Sequence, residues 1–143
     1  MKIAILNGPN LQNLQVREPH LYGGKPFEDY LGQLRQIFPK VDFSYQQHQQ
    51  EGALIQSLIT LSEEATGLII NAGAYTHTSI ALSDTLRSLN KPVVEVHISN
   101  VFARETFRHH SYLSAHCAGS ITGFGLQGYE LATRALIRHV NGQ

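Results

Sequence analysis

Short apolar and β-branched runs that alternate with helical patterns restrict the fold of this chain more than any other feature. Ile3 to Leu6 reads as a buried strand ending at the turn cluster Asn7-Gly8-Pro9-Asn10. From Pro26, suited to a first helical turn, the apolar residues Phe27, Tyr30, Leu31, Leu34 and Ile37 follow the helical period. Val41, Phe43 and Tyr45 then alternate with Asp42 and Ser44, as in a half-buried strand. Glu51 to Glu64 carries Leu54, Ile55, Leu58, Ile59 and Leu61 at helical spacing, and Gly67 to Ile70 is a third strand closed by Asn71-Ala72-Gly73. Thr76, Thr78 and Ser79 can cap a helix that runs to about Asn90, where Asn90-Lys91-Pro92 stops it, with Ala81, Leu82, Thr85, Leu86 and Leu89 as its expected inward face and Asp84 and Arg87 pointing outward. The fourth strand is Pro92 to Ile98. Gly119 to Gly123 is a weak fifth, and Leu126, Tyr129, Ala132, Leu136 and Val140 mark a closing helix.

The segment between strands four and five carries Arg104 and Arg108, four apart, which lie on one face if it is helical. The expected order is thus βαβαβαβαβα. Such alternation demands a parallel sheet with helices on both faces, and right-handed crossovers narrow the topology. The expected fold class is α/β, a doubly wound five-stranded parallel sheet of flavodoxin-like order in one domain, residues 1–143. Ligands in such sheets bind beyond the carboxyl ends of the strands. Asn7, Asn10, Asn71, His77, His97 and Ser99 all collect there.

Eleven basic residues balance eleven acidic ones, so bulk charge draws the chain neither to nucleic acid nor to membrane. A single cysteine, Cys117, excludes an internal disulfide. MKIAILNGPN is too short an apolar run for a signal peptide, no run approaches a membrane span, and a cytoplasmic protein is expected. Gly123-Phe124-Gly125-Leu126-Gln127-Gly128 matches GxGxxG. Too little chain follows to supply the strand and acid of a dinucleotide site, so these glycines are expected to let the last helix approach the sheet. His109, His110, His116 and Cys117 invite a metal reading, but adjacent histidines rarely share one ion, and no metal is expected.

Glu95 and His97 are two apart on a strand, so both side chains face the same way and can touch. A carboxylate beside an imidazole fixes its tautomer and favours the protonated form, which makes a general acid. Taken alone, a buried structural ion pair is the plainer reading. Arg17 and Tyr22 stand in the loop REPHLYGG. Lowering a tyrosine pKa from near 10 to about 7.5 requires roughly 3.4 kcal/mol. An arginine at about 4 Å supplies about 4 kcal/mol at an effective dielectric of 20. Arg17 can thus make Tyr22 a base, although a surface turn with a packed tyrosine is the plainer reading of the loop alone.

Taken together, ILNGPNL, REP-x-x-YG, NAGAYTHTS, EVHISN with ARE-x-FR-x-HSY, and GFGLQGY occur in order along nearly the whole chain. In this the chain resembles the type II dehydroquinases, 3-dehydroquinate dehydratases of the shikimate and quinate pathways. The resemblance implies a flavodoxin-like fold, no cofactor, a lid at about residues 11–25, and a homododecamer built as a tetramer of trimers. It implies that Tyr22, its phenolate stabilised by Arg17, removes the proton beside the ketone of 3-dehydroquinate. His97, oriented by Glu95, then protonates the departing hydroxyl, and Asn10 holds a water against the enolate oxygen. Asn71 and the backbone at Ile98 and Ser99 would bind the carboxylate. His77 and Arg108 would hold ring hydroxyls, Arg104 would add positive field, and Asp84 would reach a neighbouring subunit's site. The family usually has asparagine at position 12 and glycine at position 15; this chain has Gln12 and Gln15, which bears on the lid and not on the catalytic set. A small-acid-binding protein on the same fold, or an enolising isomerase, are the rival readings. A binder needs no base and acid, and an isomerase needs no acid at a leaving hydroxyl.

Overall fold

The structure, a computed structural model, describes residues 1–12, 16, 19–22 and 24–142. Five strands, β1 (Lys2–Asn7), β2 (Asp42–Gln47), β3 (Gly67–Asn71), β4 (Val93–His97) and β5 (Gly119–Thr122), form one sheet in the order β2-β1-β3-β4-β5. Every pairing is parallel. This is the flavodoxin-like, doubly wound arrangement that the alternation predicts. Its order reverses between β1 and β3, and the crevice at a strand's carboxyl end opens there.

Helices α1 (Phe27–Ile37), α2 (Glu51–Glu64), α3 (Ile80–Ser88) and α4 (Gln127–Val140) cover the sheet, and a single helical turn spans Pro19–Tyr22. Strand parity sorts the core into two layers. Ile3, Ile5, Ile69, Val94 and Val96 pack with Phe27, Leu31 and Leu34 of α1 and Tyr129, Ala132 and Leu136 of α4. Ala4, Leu6, Leu68, Ile70 and Val93 point the other way, onto Leu54 and Leu58 of α2 and Leu82 and Leu86 of α3. Among the glycines of the GxGxxG match, Gly128 lets α4 approach β4: a Cβ there would stand 3.1 Å from the Val96 side chain.

Two expectations are corrected. The segment after β4 is no α-helix but three 3-10 turns, Val101–Ala103, Thr106–Arg108 and Ser114–His116. Its spacing of arginines carries no apolar stripe, for Phe102 and Phe107 are exposed and, beyond Ile98, Val101 and Leu113 are its only buried apolar side chains. Without a face to bury, a helix gains nothing from packing. The second correction lies on α3. Ser79 does cap that helix, its Oγ accepting from Leu82 N at 2.9 Å. Ala81, expected to face inward, is exposed, and Leu82 and Leu86 alone are fully buried on this helix.

Candidate active site

A cleft of about 160 Å³ opens at the carboxyl ends of β1, β3 and β4. Asn10, Asn71, His77, His97, Ile98, Ser99, Arg104 and Arg108 all line it. Eight of the expected site residues thus converge although they come from four separate segments of chain. Glu95 stands directly behind His97. Asp84 does not join them within one chain; it lies exposed on the outer face of α3, paired with Arg87 at 3.2 Å. Arg17 and the Tyr22 side chain lie outside the described residues, as does Gln15.

Close backbone contact makes the floor of the cleft. Gly8 N donates to Asn71 O at 2.7 Å, and a Cβ on Gly8 would stand 2.4 Å from Ala72 O, so only glycine fits. The chain then turns through Asn10 at φ 64°, a conformation asparagine tolerates better than most residues. Gln49 holds it there, its Oε1 accepting from Asn10 N at 2.7 Å. Gln12 is drawn to the same corner, accepting at Oε1 from Gln47 Nε2 at 2.9 Å.

Asn7 and Asn71 are register partners on β1 and β3. Tyr129 of α4 links them, its hydroxyl donating to Asn7 Oδ1 at 2.8 Å and accepting from Asn71 Nδ2 at 3.1 Å. Asn71 Oδ1 accepts from Gly73 N at 3.2 Å. The amide is therefore fixed in one orientation, with one Nδ2 hydrogen left over for the cleft.

His97 Nε2 lies 2.9 Å from Glu95 Oε1. Glu95 is completely buried. Burial opposes its charge, but the hydrogen bond and charge of His97 and the hydroxyls of Ser114 and Ser111 outweigh this and bring its pKa down to about 2. The pair is therefore an ionised carboxylate against a ring whose Nε2 carries a hydrogen, and Nδ1 is the nitrogen able to hold a second proton. His77 stacks on His97 with ring centroids 6.2 Å apart. Its Nδ1–H donates to the His110 carbonyl at 2.7 Å. Burial, with the nearby His97 and Arg108, holds the His77 pKa below its ordinary value, only partly offset by that hydrogen bond. A neutral ring follows, with Nε2 as an acceptor for a hydroxyl.

One acid steadies both cations: Arg108 Nε donates to Glu105 Oε2 at 2.8 Å, and Arg104 Nε lies 3.7 Å from the same oxygen. Arg104 Nη1 also donates to Ser99 Oγ at 3.3 Å. Two guanidiniums with amide and imidazole groups make a pocket for a small anion bearing hydroxyls. Sequence reasoning missed Gln49, Glu105, Tyr129 and the serines around Glu95. The one available signal was that a buried strand carboxylate must find donors somewhere. No group of three His, Cys, Asp or Glu side chains among the described residues is placed to hold a metal ion.

A family model described as dehydroquinase class II matches residues 1–137. A 3-dehydroquinate dehydratase of an Exiguobacterium species is 51% identical over 140 residues, covering 97% of this chain and 96% of the relative. Another, of a Jannaschia species, is 46% identical over 142 residues, covering 98% and 96%. The crystal structure of a type II dehydroquinase from Butyrivibrio crossotus superposes with a TM-score of 0.90 at 39% identity, covering 96% of this chain and 97% of that one. The motifs at the strand ends, the sheet order and these likenesses agree over the whole length, and the chain belongs to the class II dehydroquinase family.

Proposed function

We propose that the chain is a 3-dehydroquinate dehydratase that eliminates water through an enolate. The observation that carries this reading is the His97–Glu95 pair opening onto a cleft that also holds Arg104, Arg108, His77 and Asn71. Tyr22, with Arg17 beside it, takes the proton from the carbon next to the ketone, and the electron pair moves onto the ketone oxygen. A water held by Asn10 stabilises that oxyanion. The enolate then re-forms the ketone and expels the hydroxyl at the β carbon, which leaves as water with the proton from His97. Tyr22 returns its proton to His97 through solvent, so one substrate gives one enone and one water. Asn71 and the backbone at Ile98 and Ser99 receive the carboxylate, while His77 and Arg108 receive ring hydroxyls. A lid over residues 11–25 closes the site.

Incubated with 3-dehydroquinate in buffer containing a strong chelator, the protein should produce the ultraviolet absorbance of a conjugated enone. Binding without that absorbance would instead favour the small-acid-binding reading. Activity restored only by zinc would overturn stabilisation of the enolate by water and protein dipoles.

The same reading includes a homododecamer of trimers in which Asp84 reaches the neighbouring subunit's cleft. Its support is that Asp84 is exposed on α3 and paired with nothing stronger than a surface arginine. Asp84→Ala should weaken substrate binding or turnover severalfold without lowering the melting temperature. A fully active monomer by light scattering at assay concentration would refute it.

A further inference from the structure

The carboxylate of Glu95 sits among hydroxyls drawn from two segments far from it in sequence. Ser111 Oγ donates to Oε1 at 2.8 Å, beside His97, while Oε2 accepts from Ser114 Oγ and from Ser120 Oγ, the latter at 3.0 Å. Two donors thus lie within hydrogen-bond distance of each oxygen, matching the four sites a carboxylate offers, with the one Ser120 hydrogen shared between Oε2 and Ser114 Oγ at 3.1 Å. We propose that Ser114 and Ser120 are positioning residues for the acid step, holding Glu95 as an oriented anion so that His97 presents its proton to the departing hydroxyl. This rests on the reading of His97 as the acid.

Two physical points support it. A protonated Glu95 would have to donate, and one hydroxyl would then have to turn away, so the full set of donors selects the ionised form. The donors are also neutral. An arginine in their place would stabilise the carboxylate but cancel its field at His97, whereas hydroxyls stabilise it and leave the whole negative charge facing the ring. Ser111 has a second task, since its Oγ also accepts from Leu113 N and Ser114 N at 3.0 and 3.1 Å. Replacing it would unravel a turn, so it is the wrong probe. Ser120 is the better probe, lying exposed on β5 as the register partner of Glu95, with Ser114 Oγ, itself part of the same cluster, as its other contact at 3.1 Å.

Among the described residues, charge interactions link Glu95 to His97, His77 and Cys117. His97 comes from its own strand, His77 from the turn after β3, and Cys117 from the approach to β5. Burial, with the charge of Glu95, pushes the Cys117 thiol up to about 12, so it stays neutral. The adjoining strand positions are Ile70 and Ser120, which do not titrate. A carboxylate with a depressed folded pKa keeps its charge until the pH falls through that value. Deleting donors raises that value and moves protonation upward in pH.

The test compares the wild type with Ser120→Ala, the double variant Ser114→Ala/Ser120→Ala, and Ser120→Thr, which restores a hydroxyl on a strand that suits a β-branched residue. Three quantities are measured: kcat and KM for 3-dehydroquinate, exchange of its α-proton, and the pH titration of the ¹³C-labelled Glu95 carboxylate by NMR. The expected result is a kcat lower by roughly 10-fold in the double variant, with KM within about twofold and exchange retained, as for partners that orient a reacting group. The Glu95 titration should rise stepwise through the single and double variants and return with threonine. A Glu95 titration unmoved in Ser120→Ala and in the double variant, or elimination and exchange falling together, would overturn the proposal. If the wild type does not turn over 3-dehydroquinate, the functional reading fails, while the carboxylate titration still decides the role of the hydroxyls.

Discussion

His97→Ala should slow release of water by roughly 10²- to 10⁴-fold, the usual worth of a placed general acid, while exchange of the substrate's α-proton with solvent continues. The two steps separate because they use different groups. Proton abstraction needs a base and a stabilised oxyanion, neither of which is supplied by His97. Breaking the carbon–oxygen bond without a proton would expel hydroxide, a far poorer leaving group than water. Glu95 cannot take over the role, since its carboxylate is held ionised behind the ring, with a pKa of about 2. Deuterium exchange followed by NMR, alongside the enone assay, distinguishes the outcomes. Equal loss of exchange and product would mean that His97 is not chiefly the acid.

Tyr22→Phe should remove nearly all turnover and leave substrate affinity within a fewfold of the wild type. The substitution keeps the ring and deletes only the oxygen that accepts the proton, so it removes an interaction made in the transition state and little of ground-state binding. Asn71, Arg104 and Arg108, which line the cleft and are proposed to hold the anion, are untouched by the substitution. Calorimetric titration of the inactive variant with 3-dehydroquinate measures this directly. Here α-proton exchange should vanish along with product, the reverse of the His97 result. Comparable turnover in the phenylalanine variant would remove Tyr22 from the mechanism.

Much of this arrangement is legible in the sequence because strand parity is a strict rule. Glu95 and His97 two apart on a short apolar run had to share a face, and the structure joins them at 2.9 Å. The helix Glu51–Glu64 has the bounds that its apolar spacing indicates. The connection after β4 departs from the helical expectation because two arginines four apart say where side chains would lie on a helix, not whether a helix forms. What decides that is a face to bury, and Phe102 and Phe107 face outward. Ala81 departs from its expected inward position for a related reason: a nine-residue helix buries a narrow stripe, here Leu82 and Leu86. The serines around Glu95 lie 16, 19 and 25 residues away along the chain. Nothing local marks them, since the pairing of β4 with β5 brings Ser120 to the carboxylate and the turns between those strands bring Ser111 and Ser114.

The three 3-10 turns between β4 and β5 lack the continuous hydrogen-bond ladder of an α-helix. Segments of this kind open at a lower free energy than the strands beside them. Arg104 and Arg108, which face the anion site, and Ser111 and Ser114, which face Glu95, all ride on this one stretch. A local opening that lets go of the ligand therefore withdraws donors from the carboxylate in the same event. On the proposed roles of these residues, anion binding and the orientation of Glu95 are coupled through one stretch of chain, and whatever loosens it should weaken both together.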